Sequence, residues 1–347
     1  MPHPRPTLRA IAAFIFRYTG ILSLWRWSNR DKVIILAIHG TGDPEIRSAW
    51  KPLRQQLPGP TLTRILHLLA PHYTFVSMDE AIAMLTGGAS MKRNAIVVTF
   101  DDGYRNNITN ALPILKRFGI HPMIFLATGY VDARRPHWFD RLDYALQSAS
   151  ADGRAFVVGG VRMRVNAGSR EALAASYARM RSAVKAGNRD DRQLLCEVAG
   201  IAGALETETV RRLSDFVDED HWSALLGWNE IRTVQHAVDF GSHTVDHIRV
   251  GKVPREVGVK QVRDSKLRLE QECGCECRYF AYPDGDYSSE AKQLCREAGY
   301  RAAVTMDPGL NSKAADLMAL KRIAVPISGS DSEFLADLSG FWNWLRG

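Results

Sequence analysis

"VVTFDDGYRNN", residues 97–107, ends a run of β-branched and aromatic residues on two adjacent aspartates, Asp101 and Asp102, followed by a glycine. Asp-Asp-Gly is ordinary turn material after a strand. Two like charges side by side where a buried strand emerges are nevertheless costly unless something offsets them. Similar apolar runs recur along the chain: "VIILAI" at 33–38, "AIVVTF" at 95–100, "PMIFLA" at 122–127, "AVDFGS" at 237–242, "YFAYP" at 279–283, "AAVT" at 302–305 and "KRIAVP" at 321–326. Between them lie helical patterns with readable ends, such as "NNITNALPILKRFG", closing on Gly119, and "SSEAKQLCREAGY", opening on a serine cap and closing on Gly299. Strands alternating with helices predict an α/β fold, a deformed or incomplete (β/α) barrel of about seven parallel strands.

The alternation stops between about residues 132 and 228, where the pattern is helical with a hairpin-like "RAFVVGGVRMRV". This reads as an insertion after the third strand, either a lid or wall of a substrate groove or an inert helical cap. The predicted organisation is a basic amphipathic segment over 1–30, the barrel domain over 31–330 and a C-terminal helix over 331–347. That last segment, "DSEFLADLSGFWNWLRG", has Phe334, Leu335, Leu338, Phe341, Trp342 and Leu345 at helical spacing, for packing or as an aromatic platform for a sugar.

The 347 residues are 46% apolar and 24% charged, a globular composition. Five cysteines are too few for a disulfide scaffold and odd in number, which suits a reducing compartment. The "CGCEC" cluster of Cys273, Cys275 and Cys277 is read as a loop with free thiols, and Cys196 and Cys295 as packing residues. The net charge is +7, and residues 1–32 hold +5 of it, from Arg5, Arg9, Arg17, Arg26, Arg30 and Lys32 against Asp31. The remaining +2 leaves the body near neutral, which argues against a nucleic-acid binder. The arm alternates arginines with "AIAAFIF" and "YTGILSLWRW", a pattern read as no membrane span and no signal peptide. An amphipathic helix carrying Phe14, Phe16, Trp25 and Trp27 suits peripheral contact, through residues 5–30, with an anionic membrane surface. Docking of the same helix on the protein's own barrel is the alternative.

Ligands in α/β barrels bind at the C-terminal strand ends. The first run ends in His39, the second in Asp101 and Asp102, the third in Thr128, the fourth in "GSHTVDH", the fifth in "AYPDG" and the sixth in "TMDPGLN". His243 and His247 are four residues apart, a spacing that a helical turn stacks on one face. Two imidazoles and a carboxylate from another strand make a metal site with open positions, while Asp246, between them, is read as facing solvent.

At this point the motifs resemble those of the polysaccharide deacetylases, carbohydrate esterases of family 4 built on the NodB homology domain. "TFDDGYRNN" resembles the first motif, "GSHTVDH" the second and "YFAYPDG" the third of the exopolysaccharide-type branch, while "ILAIHG" and "GLN…LKRIAVP" resemble its opening and closing segments. The resemblance spans roughly residues 33–326 and implies that residues 31–330 form the catalytic domain. It implies that Asp102, His243 and His247 hold a divalent metal, zinc by preference with cobalt, nickel or iron also fitting, and that Asp101 is the general base. A metal beside Asp102 would explain how its neighbour stays ionised. Such a metal polarises an amide carbonyl and lowers the pKa of water from about 15.7 toward about 7. A backbone N–H of the "YPDG" turn, Tyr282, Pro283, Asp284 and Gly285, is expected to hold the oxyanion and contact substrate.

The chain departs from the broader family in two places. Ala281 and Tyr282 stand where an arginine is common before the proline of the third motif, and the closing "LKRIAV" lacks the histidine that commonly supplies the acid. His39 is the candidate acid, since an unperturbed imidazole near pKa 6.5 suits donation near neutrality. Its alternatives are packing beside the metal site or orienting Asp101. Arg322 is the candidate to pair with Asp101 in place of the missing arginine. The expected activity is metal-dependent removal of N-acetyl groups from N-acetylhexosamine units of a polysaccharide or glycan precursor, in the cytoplasm or at the inner membrane face. An amidohydrolase acting on a small-molecule amide and a non-catalytic, metal-containing glycan-binding protein are the competing classes.

Overall fold

Each of the seven apolar runs forms a strand: β1 Ile34–Ile38, β2 Ala95–Phe100, β3 Met123–Leu126, β4 Asp239–Ser242, β5 Tyr279–Ala281, β6 Ala302–Val304 and β7 Ile323–Ala324. The computed structural model describes residues 8–43, 45, 46, 48, 50–186 and 189–342. Residues 1–7 of the basic arm, with Arg5, and residues 343–347, with Leu345, lie outside the described residues. The seven strands are parallel and lie side by side in the order β6, β5, β4, β3, β2, β1, β7. A two-residue strand, Thr74–Phe75, pairs with the start of β2. Helices surround this curled half-barrel.

β1 and β2 run in register from Ile34 beside Ile96 to Ile38 beside Phe100. Both strands are buried along their whole length, which is why they read as unbroken apolar runs rather than as alternating ones. Their residues still sort by period two. Ile34, Leu36, Ile38, Ile96, Val98 and Phe100 pack with Leu62, Ile65, Leu66, Leu112 and Leu115 of the surrounding helices. Ile35, Val97, Phe125, Ala281 and Val304 form a second core with Met78, Ala81 and Leu85. Continuing the second set along β1 and β2 gives His39 and Asp101, so the same alternation that builds this core delivers polar groups at its C-terminal end.

One short segment bridges the two ends of the sheet. β7 pairs with β1, Leu36 beside Ile323, while Leu320 bridges to Val304 of β6. The Thr305 N–H donates to the Leu320 carbonyl at 2.8 Å across that seam. Arg322 stands between the two contacts and is fully buried.

The insertion has a core of its own, in which Leu142 and Leu146 of the helix Trp138–Ser148 meet Tyr177, Met180, Leu194, Val198 and Leu205. The hairpin read from the sequence pairs Ala155–Val158 with Val161–Arg164. Cys196 corrects its packing assignment: it is exposed on the helix Asp191–Glu206, whereas Cys295 is buried. Cys273, Cys275 and Cys277 are free thiols.

The C-terminal helix is shorter than its apolar pattern implied. It runs Asp331–Ser339 and ends where Gly340 takes a left-handed φ of 80°, a conformation that favours glycine. Phe341 then packs on Phe16 and Trp25, with ring centroids 4.8 and 5.8 Å away. The N-terminal helices Leu8–Tyr18 and Ile21–Ser28 therefore dock on the C-terminal segment.

Candidate metal centre

Four buried side chains from two chain segments meet at the mouth of the barrel. Asp101 and Asp102 follow β2, and His243 and His247 follow β4, all at most 7% exposed. One ligand atom each from Asp102, His243 and His247 lies within 4.8 Å of the others. The Asp102 Oδ1 is 3.4 Å from His247 Nε2 and 3.8 Å from His243 Nε2, and is buried without a hydrogen-bond partner. The His243 Nδ1–H donates to the Ala281 carbonyl at 2.7 Å, which turns the Nε2 lone pair toward Asp102. Burial and the neighbouring His247 lower the pKa of His243, keeping that lone pair available. Burial alone would raise Asp102, but the neighbouring His247 and the surrounding positive charge hold it well below the carboxylate range. Two imidazole nitrogens and an orphaned carboxylate oxygen are a donor set that fits a divalent ion.

The HTVDH segment is not helical, contrary to the expected helical turn. Thr244 and His247 have left-handed φ values of 66° and 53°, and the rings instead meet edge to face at 4.8 Å. Outside hydrogen bonds impose this shape. Gln261 Oε1 accepts from the Val245 and Asp246 N–H groups, and Thr244 Oγ1 from the Ile248 N–H. Asp246 is partly exposed, as expected, and is tied to Arg135 and Gln261. Of the six described non-glycine residues with positive φ, Asp102, Thr244, His247 and Asp284 belong to this site, where strain of this kind tends to collect.

Asp101 forms a bidentate pair with Arg322, both N–H···O contacts being 2.7 Å. Arg322 is fixed in turn by the Thr305 carbonyl at 2.8 Å and Thr99 Oγ1 at 3.2 Å. Burial alone would raise the Asp101 carboxyl, and the Arg322 guanidinium brings it below its ordinary value. Asp101 is thus ionised, oriented and unprotonated.

In the "YPDG" turn, the Tyr282 N–H is spent on Val304 and the Gly285 N–H on Tyr282, and proline has none. The Asp284 N–H is therefore the one donor of the turn without an acceptor among the described residues. Asp284 holds φ 56°, and Gly285 is required beside it because a Cβ there would meet Met306 at 2.5 Å. The Tyr282 side chain does not fit its expected substrate contact: it is fully buried and its hydroxyl donates to the Met318 carbonyl at 2.9 Å. Pro283 is buried as well. The Asp284 carboxylate pairs with Lys185 of the insertion.

His39 stands at this rim, half-buried. Its pKa falls to about 4, chiefly from burial and against the pull of Asp102, so the ring is neutral at pH 7. This corrects the expectation of an imidazole titrating near neutrality.

Three further residues reach the site without a sequence signal that places them there. Arg54 donates to Asp102 Oδ2 at 3.2 Å and to the Tyr104 hydroxyl at 3.1 Å, over the ring of Phe139. It comes from an irregular stretch with no period to read. Lys185 arrives on the insertion helix Arg170–Ala186, whose end Arg249 holds to the barrel by donating to the Val184 carbonyl at 2.9 Å. His137 lies in "RRPHWFD", whose proline and aromatic run mark a turn packed on something. It is fully buried, and its Nε2–H donates to the Asp102 carbonyl at 2.9 Å. Stacked on Phe139 at 4.9 Å, it secures a ligand whose φ is 73°. His137→Phe keeps the stacking and removes that bond. Metal affinity by competition with a chelating dye is expected to fall about 10–100-fold, and affinity unchanged within about twofold would reduce His137 to packing.

A sequence model of the polysaccharide deacetylase family matches residues 88–184 and 204–303, more than half of the chain. YxkH of Bacillus subtilis (strain 168), a polysaccharide deacetylase homologue, is 20% identical over 262 residues, covering 76% of this chain and 62% of that protein. This chain thus spans less than two thirds of that relative's length. Among solved structures, the Streptococcus pyogenes deacetylase PplD in complex with acetate has a TM-score of 0.57 at 17% identity, over 89% of this chain and 99% of that one. IcaB from Ammonifex degensii has a TM-score of 0.54 at 17% identity, over 89% and 97%. These likenesses show the same fold.

Proposed function

The chain belongs to the polysaccharide deacetylase family, and we propose that it hydrolyses the N-acetyl groups of N-acetylhexosamine units in a glycan, using a divalent metal held by Asp102, His243 and His247. The observation that carries this reading is the pairing of that donor set with a separate buried aspartate, Asp101, whose carboxylate a guanidinium holds ionised. A site that only binds glycan has no need of an ionised base there.

When bound, the metal supplies Lewis acidity toward the amide carbonyl and the attacking water. Asp101 takes the proton of that water, and Arg322 keeps it aimed. The Asp284 N–H stabilises the charge that develops on the carbonyl oxygen. The amine must leave protonated, and His39 is the group assigned to that transfer. Burial that keeps His39 neutral at rest would make its imidazolium a strong donor once a proton reaches it from Asp101. Beside the HTVDH loop a groove of about 460 Å³ is lined by Tyr130, Arg135, Trp138, Arg141, Asp246 and Ile248, a volume suited to a sugar unit.

The test is acetate release by zinc-loaded protein from N-acetylglucosamine oligomers and from a panel of small cyclic and acyclic amides. Release from the oligomers alone is the expected result, with His39→Gln lowering kcat and leaving KM in place. Turnover confined to the small amides would assign an amidohydrolase instead, and no turnover with metal bound would leave a binding protein.

A further inference from the structure

Among the described residues, the two N-terminal helices turn one of their sides to the rest of the molecule. Ala13, Phe16, Leu22 and Trp25 face Ala336 and Phe341. The other side presents Ile11, Phe14, Ile15, Tyr18, Leu24 and Trp27, each 43–69% exposed. Ten large hydrophobic side chains are exposed among the described residues, and these are six of them. On the helix Leu8–Tyr18 they recur at helical spacing, and the rings of Phe14 and Tyr18 are 4.7 Å apart, so they form one patch rather than scattered positions.

Charge selects the occupant. Asp31 is the only acidic residue between positions 8 and 32, against Arg9, Arg17, Arg26, Arg30 and Lys32. The Arg30 guanidinium lies 4.3 Å over the Trp27 ring, at the margin of the apolar face, and that of Arg17 lies 5.7 Å from the Tyr18 ring. A second copy would bring like charges together, whereas anionic phospholipid headgroups would neutralise them. No helix among the described residues is long and apolar enough to cross a membrane, so the contact is interfacial. Tyrosine and tryptophan beside arginines are the side chains that settle at headgroup depth.

We infer that this face docks the protein on the surface of an anionic bilayer. The helix Ile21–Ser28 leads into the N-terminal end of β1, while the metal-ligand set lies at the C-terminal strand ends. Docking therefore leaves the mouth clear of the lipid, and it stands or falls independently of the proposed reaction.

The full chain is sedimented with extruded vesicles of phosphatidylcholine alone or with about 30% phosphatidylglycerol. Anionic vesicles are expected to raise the vesicle-bound to free ratio roughly tenfold or more over neutral ones, an excess that about 0.5 M salt screens away. The triple variant Phe14→Ser, Leu24→Ser, Trp27→Ser should stay in the supernatant, and Arg30→Glu with Lys32→Glu should bind less. An unchanged melting temperature shows that these substitutions leave the fold intact. Equal recovery with neutral and anionic vesicles, undiminished binding of the triple variant, or a dimer that the triple variant dissolves while the parent ignores vesicles, would each overturn the inference.

Discussion

Asp101→Asn is expected to keep one metal per chain and to lose acetate release by about 10²–10⁴-fold, the range of a removed general base. The amide has nearly the size and shape of the carboxylate it replaces, and none of the three ligand atoms touches Asp101 directly, so the metal centre should assemble. What the variant lacks is a group able to take the proton. The loss should fall on kcat more than on KM, because the proton moves only as the transition state forms. The amide cannot reproduce both contacts to Arg322, so a lower melting temperature should accompany the loss. Activity within about tenfold of the parent, with metal bound, would move the base to another residue.

Arg322→Leu is expected to be the most destabilising single change at the site, by about 3–5 kcal/mol, because it leaves a carboxylate buried without its partner. The direction with pH follows from the Asp101 shift. In the parent, Arg322 holds the folded-state pKa below the unfolded value. The pair thus contributes stability above the ordinary carboxylate pKa, and that contribution is lost as pH falls through the lower, folded value. Without Arg322, burial acts alone and raises the group, so the acid limb of kcat/KM should move to higher pH and stability should decline as pH rises past the unfolded value. Chemical denaturation between about pH 4 and 8 reads the second effect, and the pH profile reads the first. Arg322→Lys should rescue only part of either, since an ammonium cannot reproduce the two-pronged contact. Asp101→Asn in the Arg322→Leu background should recover stability, as expected when the cost is an unpaired charge. An acid limb unmoved in Arg322→Leu would mean that Arg322 does not govern the protonation of Asp101.

The seven strands were legible because each is an apolar run with polar residues at its C-terminal end, and all seven runs are strands. The placing of Asp102, His243 and His247 together was legible for the same reason, since successive parallel strands share one rim. The HTVDH conformation was not, because Gln261, from a helix downstream, dictates it through hydrogen bonds. Burial misled in both directions. It hides the Tyr282 ring, in a turn whose motif offered a substrate contact, and it lowers His39 below the ordinary imidazole pKa from which its acid role was argued. Arg54, His137 and Lys185 reach the mouth from segments with no strand period to place them: Arg54 from the irregular stretch after β1, and His137 and Lys185 through the packing of the insertion on the barrel. The break at Gly340 was missed because apolar spacing continues through it, while backbone φ does not.

The most direct test of the metal-dependent reaction is a titration of zinc into chelator-stripped protein while acetate release from N-acetylglucosamine oligomers is recorded. The account predicts negligible release at the start, recovery that saturates at about one equivalent per chain, and neither binding nor recovery in Asp102→Ala. Full acetate release from protein holding less than about a tenth of an equivalent of any divalent metal would contradict it.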